Sequence, residues 1–168
     1  PERSLLFGAV RDPLPEIPAR LAHFACRNNQ LALAALEQIR ADVEAALSRF
    51  GRARIGVVVG TSTSGVGDAE EAIAVRERTG ALAREFHYAQ LEFGGLAGFL
   101  AEAAGVRGPA YTLSTACSSG ARALATACSL VRLGLCDAVI SGAADSLCGL
   151  TANGFASLGA LSSGITNP

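Results

Sequence analysis

The run Ile55-Gly56-Val57-Val58-Val59 constrains the fold of this chain more than any other segment, because it is mostly β-branched and has no polar alternation. A strand with one wet face alternates apolar and polar side chains. A run without alternation reads as a strand covered on both faces, the pattern of a parallel sheet between helical layers. Two further short runs repeat it: Ala110-Tyr111-Thr112-Leu113 behind Pro109, and Ala138-Val139-Ile140, which stops at Ser141-Gly142. Before and between them the spacing turns helical. Leu21, Phe24, Leu31, Ala35, Ile39, Val43, Ala46 and Leu47 recur at near-helical intervals before Gly51, predicting one long helix or two joined near Arg27-Asn28-Asn29. Further helices are predicted from Ala69 to about Arg78 with Asp68 as cap, over Leu91 to Ala104 closed by Gly105, and from about Ala121 to Leu133 ended by Gly134. The glycine- and serine-rich stretch that runs to Pro168 carries no predicted terminating element. Alternating strands and helices make this an α/β chain.

Composition narrows the chemistry. The 168 residues are 50% apolar and 17% charged, enough to fill the core of one domain. A net charge of −1 with scattered arginines offers no face for a nucleic-acid backbone. All 14 basic residues are arginine, which removes a Schiff-base lysine and the lysine of a phosphate-binding P-loop. No charged leader precedes an apolar segment, and no apolar run approaches the roughly 20 residues that span a bilayer, so a cytoplasmic protein without a membrane partner is expected. Cys26, Cys117, Cys128, Cys136 and Cys148 are odd in number and lack Cys-x-x-Cys spacing, so neither a disulfide framework nor a metal site is indicated. The opening from Pro1 to Pro18, with its short run Leu5-Leu6-Phe7 and no initiating methionine, reads as the middle of a longer chain.

Cys117 stands where a buried strand turns into the first turn of a helix. Unpaired N–H groups at such a turn favour a thiolate, and the turn exposes the sulfur beside backbone donors that can face a developing oxyanion. Spacing alone leaves a nucleophile and a packed thiol equally open. Cys128, 11 positions on and about three turns deeper, reads as buried. The loop from Gly60 to Gly67 lacks the Gly-Lys-Ser/Thr of a phosphate cradle and the last glycine of a serine-hydrolase elbow, so it reads as a structural turn near the site. Asp68, Glu70 and Glu71 read as complements to their own helix dipole, and Asp145 as orienting either a loop or a dimer partner. His23 and His87 read as surface or interface residues.

The segment from Gly108 to Leu124, Gly-Pro-Ala-Tyr-Thr-Leu-Ser-Thr-Ala-Cys-Ser-Ser-Gly-Ala-Arg-Ala-Leu, resembles the active-site segment of the β-ketoacyl-acyl-carrier-protein synthases almost position for position. Val57 to Gly65 is similar to the family's buried strand and glycine turn, Gly134 to Asp145 to its next strand, and Gly154 to Ser162 to its pocket segment. The resemblance covers about residues 52 to 168 and implies a thiolase-like fold of alternating helical and sheet layers built from two similar halves. The chain, residues 1–168, is expected to be a partial N-terminal ketosynthase domain lacking the family's first strand and its C-terminal half.

What the resemblance implies for function is specific. Cys117 takes an acyl group from the phosphopantetheine of acyl carrier protein, and malonyl-carrier loses CO₂ and attacks the thioester. The Cys117 N–H is then one oxyanion donor, and Phe155 matches a position near the acyl pocket. No other cofactor or metal is implied. The expected partners are acyl carrier protein, the acyl and malonyl thioesters, and a second ketosynthase subunit in a homodimer or heterodimer. The family's catalytic histidines and lysine lie in the second half, matched by neither His23 nor His87, so the isolated chain is expected to be inactive. The surrounding motif favours an elongating synthase over a thiolase or a coenzyme-A-primed starter enzyme. A non-catalytic chain-length subunit, which typically lacks the nucleophile, is the alternative, and a stable fragment with only a structural role is a third. Fatty-acid, polyketide and aryl-polyene synthesis are not separated by these residues; the arginine-bearing helix before Gly51 leans toward the last.

Overall fold

The computed structural model describes residues 7–162. Leu5, Leu6 and residues 163–168, the last part of the stretch running on to Pro168, lie outside those residues. Among the described residues three parallel strands form the sheet: β1 (Ile55–Gly60) in the centre, β2 (Ala110–Leu113) on one side and β3 (Ala138–Ala143) on the other. Val57 pairs with Ala110 and Ile140, and Gly60 with Leu113 and Ala143, so all three strands end at the same edge.

All six residues of β1 are buried, and the reason lies on its two faces. Ile55, Val57 and Val59 point into a cluster with Leu33 and Leu36 of α1 (Arg27–Gln38) and Leu96, Phe99 and Leu100 of α5 (Gly95–Ala104). Val58 points the other way, onto Ala123 and Leu130 of α6 (Ser119–Arg132) and Cys136. A central strand with helices above and below has no wet face, which is why its sequence does not alternate. Beyond α1 lies α2 (Arg40–Phe50), and between β1 and α5 lie α3 (Val66–Thr79) and the short α4 (Tyr88–Leu91); α7 (Gly149–Ser157) follows β3. Gly105 and Gly134 stop their helices in left-handed conformation, at φ 71° and 68°.

Several expectations are corrected. The helical spacing before Gly51 is cut twice. A 3-10 helix, Ala19–Phe24, ends before an extended Cys26, and α1 and α2 are parted at Ile39 (φ −108°, ψ 14°). Asn29 makes the first break, its Nδ2 donating to the Phe24 carbonyl at 2.8 Å. Burial pushes the Cys26 thiol up to about 11. Asp68 does not cap its own helix, whose N-cap is Gly65; its carboxylate accepts instead from the Arg27 N–H at the start of α1, at 3.2 and 3.3 Å. β3 runs through Ser141 and Gly142 to Ala143 because these residues still pair with β1. Cys128 is exposed, since α6 meets the sheet through Ser119, Ala123, Ala127 and Leu130 and the following position lies about 100° away. The stretch expected to lack terminating structure contains α7. Among the described residues no helix is long and apolar enough to cross a membrane.

Candidate active site

The turn from β2 into α6 is built around one carbonyl. Ala116 sits in left-handed conformation at φ 51°, a region that costs a non-glycine residue roughly 1 kcal/mol or more and therefore must be held from outside. Its carbonyl accepts from the Ser119 N–H at 3.0 Å, the Ser119 hydroxyl at 2.6 Å and the Ser62 hydroxyl at 3.1 Å. The Ser119 oxygen in turn accepts the Thr115 N–H at 2.9 Å, and the Ser118 hydroxyl donates to the Thr115 carbonyl at 2.8 Å. Polar side chains unsuited to a helix interior thus tie the turn to the helix start. Cys117 follows Ala116 and precedes Ser118, the N-cap of α6; its side chain is exposed.

Gly60 allows the turn to lie so close to the sheet. A methyl group there would stand 2.6 Å from the Ser119 carbonyl carbon and 2.8 Å from the Gly120 nitrogen, so only glycine lets the first turn of α6 rest on the end of β1.

Cys117 opens into a cleft of about 560 Å³. Its apolar wall is Phe7, Leu147, Ala152, Phe155 and Leu161, and its polar rim is Ser62, Thr63, Asp145, Ser146 and Thr151. The structure therefore brings together the two residues singled out from sequence, Cys117 and Phe155, from segments 38 positions apart (155 − 117). His23 stacks on Phe24, with ring centroids 4.1 Å apart, and His87 precedes α4; neither lines the cleft. Cys26, Cys136 and Cys148 are buried. Among the described residues no group of three or more His, Cys, Asp or Glu side chains is arranged to hold a metal ion.

Two acidic residues shape the cleft in ways the linear sequence did not disclose. Asp145, just past β3, accepts through Oδ1 from the Thr61 hydroxyl (3.0 Å), the Ser62 N–H (2.6 Å), the Thr63 N–H (3.0 Å) and the Thr63 hydroxyl (3.0 Å). Of its two expected roles, within the chain it orients a loop. Glu70 on α3 caps α7, its carboxylate accepting the N–H groups of Gly149 at 2.8 Å and Leu150 at 2.7 Å. None of the α7 side chains is buried, and Gly149, Gly154 and Ser157 are weak helix formers, so this cap is its main visible anchor. Glu70→Ala is expected to destabilise the protein by about 1 kcal/mol, the usual worth of a helix cap, and to speed proteolytic cleavage within residues 149–158. Limited proteolysis beside the parent protein checks it, and equal cleavage rates would refute the anchoring role.

An exposed thiol at a helix start, facing an apolar wall, can hold an acyl chain as a thioester with backbone N–H groups near the carbonyl oxygen. The family described as β-ketoacyl synthase, N-terminal domain, matches residues 8–167. Among solved structures, a chain of the complex between the ketosynthase ApeO and its chain length factor ApeC from Xenorhabdus doucetiae is 42% identical, with a TM-score of 0.87 over 95% of this chain and 40% of its own. A β-ketoacyl synthase from Burkholderia phymatum STM815 shares the fold at 23% identity, with a TM-score of 0.73 over 88% of this chain and 37% of its own. The chain thus spans well under half the length of either relative. No curated protein matches it.

Proposed function

The chain belongs to the β-ketoacyl synthase family, with its thiolase-like fold, and from that premise we propose that it is the N-terminal part of a longer condensing enzyme in which Cys117 is the acyl-accepting nucleophile. The observation that carries this reading is the exposed Cys117 thiol at the start of α6, in one cleft with Phe155.

In this reading the Cys117 sulfur attacks the thioester carbonyl of an acyl chain on the phosphopantetheine arm of acyl carrier protein. The tetrahedral intermediate collapses by expelling the carrier thiolate, which takes up a proton, and the acyl group stays on Cys117. The N–H groups at the start of α6 face the developing oxyanion, and the apolar wall with Phe155 receives the chain. Malonyl-carrier then loses CO₂; the resulting carbanion attacks the acyl carbonyl, expels the Cys117 thiolate and leaves as a β-ketoacyl thioester two carbons longer. The groups that promote decarboxylation belong to the second half of the enzyme, so residues 1–168 alone do not condense.

The ApeO complex with its chain length factor supports a heterodimer of the same kind for this protein. That complex holds two types of subunit, which keeps the non-catalytic chain-length role as a second reading; the retained and exposed Cys117 favours the catalytic one. The test is a condensation assay of the full-length protein, with and without its partner subunit, using acyl- and malonyl-carrier and mass spectrometry of the carrier. A two-carbon-extended β-ketoacyl carrier supports the proposal. Loss of CO₂ and extension by neither preparation, while a reference synthase acts on the same carriers, would leave the chain-length role.

A further inference from the structure

We propose that Asp145 is a positioning residue for the nucleophile, acting through Ser62 on the turn that carries Cys117. The inference rests on the reading of Cys117 as nucleophile and adds the device that aims it.

The chain of contacts is short and continuous. Asp145 Oδ1 gathers four donors from the loop after β1, including the Ser62 N–H at 2.6 Å, and so sets where Ser62 stands. The Ser62 hydroxyl then donates to the Ala116 carbonyl at 3.1 Å. Ala116 is the residue held at φ 51°, and its peptide leads directly into Cys117. Two of the three donors on that carbonyl come from Ser119, within the same turn; among the described residues Ser62 alone ties it to another element. The loop end is fixed from its far side as well, where the buried Asn28 donates through Nδ2 to Thr61 Oγ1 at 3.4 Å and the Ser64 N–H donates to the same oxygen at 3.0 Å.

The arrangement has a chemical purpose. Without Ser62 the Ala116 carbonyl keeps only its two donors from Ser119, so the left-handed turn is free to shift against the sheet, and the shift swings the following side chain. Four hydrogen bonds converge on one carboxylate oxygen, a stronger acceptor than a neutral carbonyl or hydroxyl, and hold a loop whose Thr61, Thr63 and Ser64 are buried. Asp145 also borders the cleft, yet its role here is exerted through Ser62 and does not require it to exchange a proton with substrate.

The experiment measures how fast iodoacetamide modifies Cys117 in the full-length protein, by peptide mass spectrometry, beside the melting temperature. Ser62→Ala and Asp145→Ala are each expected to slow modification about tenfold, Ser62→Thr, which keeps the hydroxyl, to stay within about twofold of the parent, and the double variant to be no slower than Asp145→Ala. A parent-like rate for Ser62→Ala, equal slowing by Ser62→Thr, or effects that multiply in the double variant would overturn the proposal. Should Asp145→Ala lower the melting temperature, the Ser62 pair decides. Alkylation needs no carrier protein, so the positioning role can hold if acyl transfer fails, and can fail if acyl transfer holds.

Discussion

Cys117→Ala in the full-length protein is expected to abolish acyl loading: incubation with acyl-carrier adds the acyl mass to the parent and none to the variant. The effect is all-or-none on the proposed reading, in which the thioester bond forms to that sulfur. The four other cysteines offer no substitute, since Cys26, Cys136 and Cys148 are buried and the exposed Cys128 lies about three turns along α6, outside the cleft. Burial also raises the Cys26 and Cys136 thiols above their ordinary range, which withholds the thiolate that acylation needs. Intact-mass spectrometry reads the outcome. Acyl mass persisting on the alanine variant would move the nucleophile elsewhere and undo the reading of the cleft.

Gly60→Val is expected to be the most damaging single change to the fold around the site. The added side chain would enter backbone atoms of Ser119 and Gly120, which cannot rotate away. Overpacking against side chains costs typically 1 to 3 kcal/mol, and against a helix backbone the upper end or beyond applies, about 3 kcal/mol or more. The melting temperature should fall by roughly 5 to 10 °C. Activity should fall with it, because the displaced Ser119 holds the Ala116 carbonyl and the Thr115 N–H. Gly94→Ala is the control: nothing lies within 4 Å of its added methyl group, and it should change neither property appreciably. A Gly60→Val protein that melts and loads acyl groups like the parent would refute the close-packing argument.

The buried strand at Ile55–Gly60 was legible because absence of alternation is a direct record of two covered faces, and the helix ends at Gly105 and Gly134 were legible because left-handed stops select glycine. Cys117 was legible by its place between β2 and α6, and the segment around it carried the family resemblance. The exposure of Cys128 is not legible, because periodicity states which face a residue shares, not what covers that face.

The α/β order, the central strand, the nucleophile candidate and the family are all readable from the chain, since each is encoded in residues adjacent along it. That Asp68 caps α1, that Glu70 caps α7, and that Asp145 steadies the loop beside Cys117 emerges from the folded chain. Each of those contacts joins groups 41 to 83 positions apart, where a carboxylate carries no mark of which distant N–H it will meet. α7 is hidden in the sequence for the same reason: Gly149, Gly154 and Ser157 interrupt its helical propensity, and the carboxylate that holds its first turn lies on another helix.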